Sequence, residues 1–410
     1  MNPIPMILAD LRGLKWIGVV IVALVAIAVA VGIALGAQER AFRHASATAA
    51  SDFPLVIGAA GSPTQLVLST VYLRLDALPL LDGETLRRYG ADERVAAVAP
   101  IAFGDVVRGH PVIGTTADFA SRWGRLAPSE GRMFAEEGEA VVGSAATIAV
   151  GESFSPSHGR AGSAAHPGEA DPEEKAHVHG EVHYTVVGRM PPTGGPWDRA
   201  VMVPVESVWE THGLGNGHQG EDHIGAPFDA EKLPGLPALV IKPKSFAAAY
   251  QLRAEGRAKG LGALFPAEVL VELYAVLGDV GRILKIASAL DDGLVFLAVT
   301  ALLVTVGGLR RRRYAMLRAL GAPRRFVLAT VWGSAATLVA IGCLLGLGLG
   351  WAAAGLVSHL LTAETGLAVP VRLEAPDFLW AGLVFLAGSL FALVPAIVAG
   401  RGRVVDGLAG

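Results

Sequence analysis

Trp16-Ile-Gly-Val-Val-Ile-Val-Ala-Leu-Val-Ala-Ile-Ala-Val-Ala-Val-Gly-Ile-Ala-Leu-Gly-Ala37 carries no charged side chain over 22 residues. At about 1.5 Å of rise per residue, a helix of that length reaches about 33 Å, enough to cross the hydrocarbon core of a bilayer. Three more runs share this character. Gly293 to Leu309 is uncharged and follows the amphipathic stretch Asp279 to Asp292, which predicts one long helix running from the surface into the bilayer. Phe326 to Leu361 lacks Asp, Glu, Lys and Arg and is too long for one straight span, so a third helix is expected around 327–355, its end leaving the membrane. Phe378 to Gly400 supplies the fourth. A cleaved signal peptide is the alternative for the first run, but its apolar core exceeds the roughly 7–15 residues of such a peptide.

Composition agrees with a membrane protein. Of 410 residues, 52% are hydrophobic, and the net charge of −3 offers no basic surface for nucleic acid. The single cysteine, Cys343, lies in an apolar run, so neither a disulfide framework nor a thiolate metal cluster is available. Cations near span ends stay on the cytoplasmic side. Arg12 and Lys15 precede the first span, Arg310 to Arg313, Arg318, Arg324 and Arg325 follow the second, and Arg401 and Arg403 follow the fourth. Both termini are therefore expected in the cytoplasm of a cell whose inner (plasma) membrane holds the protein. The 38–282 segment and the short 359–377 loop then face the periplasm or the cell exterior.

The resulting division is 1–37 for the N-terminus and first helix, 38–282 for an extracytoplasmic domain, and 283–410 for the remaining three helices. Within 38–282, Ala140 to Val142, Tyr184 to Val187, Ala200 to Val205 and Ala238 to Ile241 read as strands, and Asp82 to Tyr89 and Pro243 to Gly260 as helices. The fold class is thus a membrane protein of four transmembrane α-helices with a large α+β extracytoplasmic domain inserted between helices 1 and 2.

The 152–184 stretch breaks this pattern, being rich in Ser, Gly, Ala, Glu and His without an apolar run able to pack, and it reads as a mobile loop. It contains His158, His166, His177, His179 and His183, while His212, His218 and His223 fall in a second Gly-rich loop. Imidazoles at His-x-His-x3-His spacing can offer several nitrogens to zinc or a similar ion, and Glu169, Asp171, Glu173, Glu174 and Glu181 can add oxygens. The alternative is a solvated loop that binds metal only weakly. No His-Glu-x-x-His helix is present to build a rigid catalytic zinc site.

Between the second and third spans, Gly308-Leu-Arg-Arg-Arg-Arg-Tyr-Ala-Met-Leu-Arg-Ala-Leu-Gly-Ala-Pro-Arg-Arg-Phe326 predicts a basic amphipathic helix. Tyr314, Leu317 and Leu320 fall at helical spacing, and Gly321 before Pro323 ends the helix. Such a helix lies on the membrane surface or docks in a partner's groove. No Gly-x4-Gly-Lys-Ser/Thr loop occurs, so this chain has no such cradle for ATP. Gly346 to Gly350 lies within a span and suits close helix packing. The spans carry essentially no ionisable residues, and Asp291 and Asp292 are expected at the interface, so the helices resemble transmission rods more than a conduction path.

Arg311-Arg-Arg-Tyr-Ala-Met-Leu-Arg-Ala-Leu-Gly-Ala322, with one span, a large outer domain and then three spans, resembles the MacB/FtsX-like permease family of ABC transporters. Gly131-Arg-Met-Phe134, Glu139-Ala-Val-Val-Gly-Ser144 and Val186-Val-Gly-Arg189 are similar to the family's outer-domain core. Gly61-Ser-Pro-Thr-Gln-Leu-Val-Leu-Ser-Thr-Val-Tyr72 and Pro192-Thr-Gly-Gly-Pro-Trp-Asp-Arg199 look like a subgroup found in metal-linked operons. The resemblance implies a non-enzymatic permease subunit, a separate ABC ATPase subunit that consumes ATP, and a second permease copy, identical or different. It also implies that Arg313, Leu317, Arg318, Gly321 and Ala322 touch the ATPase. Beside an export role stand two alternatives, a transmembrane regulator of a cell-envelope enzyme and a zinc-sensing module.

Overall fold

A computed structural model of the chain describes residues 2–13, 15–158, 182–219, 223–229 and 231–401. It divides into two compact units: a membrane unit of Met1–Phe42, Val276–His359 and Pro370–Gly410, and a sheet-bearing unit of Arg43–Ala275 with Leu360–Val369.

The chain begins with α1 (Ile4–Gly13) and α2 (Lys15–Ala50). The second of these contains the first span but does not stop at Ala37 where polar residues resume. Gln38 to Ala50 is rich in Ala and also holds Glu39, Arg40 and Arg43, all good helix formers, so the helix runs on past the apolar segment.

The sheet-bearing unit follows. β1 (Leu55–Gly58), α3 (Pro63–Thr70) and α4 (Gly83–Gly90) lead into a hairpin of β2 (Val95–Val107) and β3 (His110–Thr115). Next come α5 (Ala117–Ala120), β4 (Glu130–Gly131), β5 (Glu139–Val142), β6 (Ser153–Phe154), β7 (Ser157–His158) and β8 (Tyr184–Arg189). The unit continues with β9 (Val201–Pro204), α6 (Val205–Thr211), β10 (Ala238–Pro243), α7 (Phe246–Ala258) and β11 (Gly262–Leu264). The strands join in the order β11-β1-β10-β2-β3-β9-β5-β8-β4, with β6 on β8 and β7 on β2. The β3–β9 and β5–β8 pairs are parallel and the others antiparallel, so this is a mixed sheet in an α+β unit.

Both faces of the sheet are covered, and the strands alternate between them with period two. Leu55, Ile57, Val142, Val201, Val203, Leu239 and Ile241 pack with Leu86 and Tyr89 of α4, Trp209 of α6 and Leu252 of α7. Their neighbours Val56, Val141, Met202 and Val240 point the other way, onto Leu66 of α3, Phe119 of α5, Phe53 and Trp197.

Every strand and helix expected in this region is present, with β1, β11 and the β2–β3 hairpin in addition. The hairpin turn uses Arg108 and Gly109, both with positive φ (49° and 77°), as a two-residue turn that matches the twist of the strands. Arg-Gly is an unusual pair for it. Pro100 and Gly104 also punctuate β2, and the register slips by one residue at Gly104.

The membrane unit resumes within α8 (Pro266–Leu309), followed by α9 (Arg311–Ala319), α10 (Arg324–Thr365), α11 (Ala375–Phe391) and α12 (Leu393–Arg401). Four helical stretches have the length and hydropathy to cross a membrane: Lys15–Ala50, Arg282–Leu309, Arg324–Thr365 and Ala375–Gly400. The fourth breaks at Ala392 because Pro395 has no N–H to give the carbonyl of Phe391. α11 starts at a capping box in which the N–H of Glu374 donates to Asp377 Oδ2 (2.9 Å), and Arg40 of α2 pins the same carboxylate at 2.6 Å. Asp291 is exposed as expected at an interface. Asp292 is not, being 6% exposed, and neither of its oxygens has a hydrogen-bond partner among the described residues.

α10 approaches α2 along Gly342, Gly346 and Gly350. A Cβ at Gly346 would sit 2.7 Å from the carbonyl oxygen of Ala26, and one at Gly350 2.7 Å from that of Ala30. In lipid, where apolar burial gives helices no special attraction, such close backbone contact drives association. Gly348, between them, faces open space. Gly346→Val is expected to destabilise the membrane unit by about 1–3 kcal/mol, whereas Gly348→Val leaves it unchanged. Thermal unfolding of the two purified variants in detergent compares them directly.

Candidate functional site

The basic turn between α8 and α10 is built by its cap. Gly321 has φ +95°, a conformation that disfavours any residue with a Cβ. The Gly321 N–H donates to the carbonyl of Arg318 (3.1 Å) and that of Ala322 to Leu317 (3.0 Å), the paired bonds of a Schellman motif. Ala322 is buried and Leu317 half-buried.

α9 seats its inner face on the starts and ends of its neighbours, with Tyr314 buried against Val327 and Val331 of α10 and Ala396 of α12, and Leu317 beside them. The apolar stripe read from the sequence is therefore split. Tyr314 and Leu317 face inward, while Leu320 is 87% exposed, and Met316, Arg312, Arg324 and Arg325 are exposed as well.

Of the five residues taken to contact an ATPase, Arg318 is half-buried and Gly321 exposed. Ala322 is 7% exposed and serves the cap, so it offers little surface to a partner. Arg313 is half-buried, and its guanidinium donates to Asp10 of α1 at 2.9 Å. No sequence pattern marks that acid.

A second polar centre lies within the sheet-bearing unit, where the two subgroup-like strings meet. Asp198, 6% exposed, folds the Pro192–Arg199 loop by accepting from the N–H groups of Thr193 (2.9 Å) and Gly194 (2.8 Å) and from the Thr193 hydroxyl (2.6 Å). This presents Trp197, whose indole N–H donates to the carbonyl of Thr70 at 3.2 Å. Phe53, Phe119 and Trp197 pack with centroids 5.3 to 5.8 Å apart. Over this cluster lies the buried guanidinium of Arg122, 4.9 Å from the Trp197 ring and bonded to Asp52 at 3.0 Å. Arg122 and Trp123 both have positive φ, a strained arrangement that the surrounding contacts hold in place.

A cavity of about 210 Å³ opens beside the cluster, lined in part by Asp52, Phe53, Arg125 and Thr193. The same loop accepts the N–H of Ala368 at Gly194 (3.0 Å), and Arg199 donates to the carbonyl of Glu364. The Pro192–Arg199 loop thus joins the segment just after α2 to the one that ends α10, all inside this unit.

The histidines do not gather into one described site. His166, His177 and His179 lie outside the described residues, as do Glu169, Asp171, Glu173, Glu174 and Glu181. His158 pairs through its backbone with Asp105 on β2, and His183 is exposed with Nδ1 2.9 Å from the Ser155 hydroxyl. His218 is buried beside Glu206 at 3.3 Å, with the His223 ring 4.7 Å away. His110, which lies in neither His-rich loop, is a core residue. Its Nε2 accepts from the N–H of Thr147 (3.2 Å), its Nδ1 lies 3.0 Å from the carbonyl of Arg199, and burial pushes its pKa down. Among the described residues no group of three or more His, Cys, Asp or Glu side chains is placed to hold a metal ion.

The architecture defines a four-span membrane protein with a folded domain inserted after the first span. Residues 293–403 match the family model described as FtsX-like permease C-terminal. These residues, which take in most of the last three spans, are thus similar to the C-terminal part of an FtsX-like permease. No curated protein matches it. Among solved structures it is similar to the periplasmic region of MacB from Actinobacillus actinomycetemcomitans, at 10% identity and a TM-score of 0.32 over 54% of this chain and 94% of that one. It is also similar to the extracellular domain of the noncanonic ABC-type transporter YknZ from Gram-positive bacteria, at 12% identity and a TM-score of 0.27 over 49% of this chain and 93% of that one.

Removing the Trp197 side chain opens the wall around Arg122 and leaves the carbonyl of Thr70 without its donor. Trp197→Ala is expected to destabilise the sheet-bearing unit by about 3–5 kcal/mol. Phe246→Ala, at a side chain 89% exposed, is the control that changes nothing. Denaturant unfolding followed by tryptophan fluorescence, with the Phe246 variant as reference, reads the difference.

Proposed function

We propose that this permease couples ATP hydrolysis by a separate ATPase subunit to motion of its sheet-bearing unit, for export or for handling a substrate in the cell envelope. The observation that carries this reading is the outer face of α9. There Leu320 and Met316 stand exposed among Arg312, Arg324 and Arg325, on a helix whose end is locked by the Gly321 cap. Exposed apolar side chains and exposed arginines in one short turn suit docking into a groove on a protein partner with acidic edges. The positive-inside rule supports the reading that this turn and both termini lie in the cytoplasm and the protein in the inner membrane. Two permease copies, identical or different, and two ATPase subunits complete the assembly.

Leu320→Glu and Arg318→Glu are expected to abolish co-purification with the ATPase subunit and its permease-dependent ATP turnover, while the variants unfold at the wild-type temperature. Wild-type association and turnover in both would overturn the docking role.

A metal link rests on the histidine pattern of 158–183 and draws on His166, His177 and His179 outside the described residues, since those described do not form a site by themselves. Calorimetric titration of the full-length protein with zinc checks it. Saturable binding is expected, and it is lost when His177, His179 and His183 are all replaced by alanine. Titration curves that do not change with the triple replacement would sink the idea.

A further inference from the structure

Asp10 is the least exposed charged residue of the membrane unit's first helix, at 1% of its free surface, and it is buried by residues three hundred positions away. Its Oδ1 accepts from Arg313 at 2.9 Å and from Arg310 at 3.1 Å, so one carboxylate oxygen bridges the end of α8 and the first turn of α9. Met6 approaches the other side of the Arg313 guanidinium, with Sδ 3.9 Å from Nη2. Beside Met6 in α1, Ile7 lies against Gly333 of α10, where a Cβ would come within 2.6 Å of Cδ1. The helix α1 therefore touches the segment before α9 and the helix after it, closing a triangle around the basic turn.

Burial pushes the Asp10 carboxyl up, and the attraction of Arg313 and Arg310 does not fully offset that cost. The geometry of the contact, two bonds to one oxygen from Arg310 and Arg313, is what bears on its role. Two guanidinium groups converging on one oxygen fix both the rotation and the height of α9 relative to α1. Arg310 keeps only 18% of its side-chain exposure, so removing the acid would leave a buried cation unmatched.

We infer that Asp10 is a positioning residue, and that α1 is a strut which holds α9 at one angle so that its outer face is presented to a partner. This rests on α9 being the docking element proposed above. Arg313 then works on the inner side of the turn, orienting the helix, while Leu320 and Met316 form its contact surface.

The test uses the full-length chain in lipid nanodiscs, in a Cys343→Ala background that removes the only native thiol. Spin labels at Ala9→Cys and Ala319→Cys, both exposed positions, report the α1–α9 separation by pulsed electron resonance. The expected result is one narrow distance in the parent protein, loss of that peak in Asp10→Asn, and its return in Asp10→Glu, which restores the charge. An unchanged narrow peak in Asp10→Asn would overturn the proposal. If Asp10→Asn does not reach the membrane folded, the double variant Arg310→Met with Arg313→Met breaks the same contacts from the other side and carries the same two outcomes. Unlabelled variants are then assayed for ATP turnover with the ATPase subunit of the complex. A lost peak with lost stimulation supports both the strut and the docking element. A lost peak with unchanged stimulation keeps the strut and rejects α9 as the docking element.

Discussion

Hydrocarbon offers no hydrogen bonds, so a chain crossing it must satisfy its own backbone at every residue, and that single requirement organises the membrane unit. It makes helices of all four spans, and a helix that has begun has no reason to stop at the edge of the lipid while its residues still favour it. α2, α8 and α10 accordingly run for 36, 44 and 42 residues, where about 20 suffice to cross. The same requirement moves polar pairing to the ends. Arg40 with Asp377 and Asp10 with Arg310 and Arg313 sit where spans begin or finish, while the middle of α2 and α10 is held by glycine and small apolar contacts.

The sheet-bearing unit meets a different problem, which is to anchor the segments that lead in and out of it. The loop around Trp197 answers with a dense polar and aromatic cluster. Asp198 shapes the loop, Trp197 and Phe53 wall in Arg122, and Arg122 holds Asp52 two residues after α2 ends. These groups lie far apart in the chain, at 52–53, 119–122 and 192–199. None is informative alone, because a salt bridge or an aromatic pair appears only when the fold brings its halves together.

Much of the architecture was legible in the sequence because it depends on local pattern. Uninterrupted apolar runs revealed the spans, and period-two alternation revealed β5, β8, β9 and β10. The β2–β3 hairpin escaped because Pro100, Gly104 and an Arg-Gly turn contradict the ordinary signals of a strand pair. The turn before Pro323 was readable for the same local reason, since Gly321 marks a left-handed cap. Which side of α9 would face out was not readable. Helical spacing grouped Tyr314, Leu317 and Leu320, yet the helix ends at Leu320, whose side chain leaves the inner face. Asp10 carried no signal at all, because its meaning lies in two arginines three hundred residues later.

The long strand β2 has one more consequence. Its first half, from Val95 to Ile101, bonds to β10, and its second half, from Ala102 to Val107, bonds to β3, with no strand among the described residues running alongside both. Hydrogen-bonded continuity across the sheet thus passes through the backbone of one strand, at a point next to the slip in register at Gly104. Mechanically the sheet is two plates sharing a seam. Sliding of one plate past the other is opposed by a single covalent chain and by side-chain packing on either face, whereas bending within each plate must break rows of backbone bonds. Deformation of this unit therefore concentrates along one line, and the residues that set its compliance are those of β2 between Pro100 and Asp105.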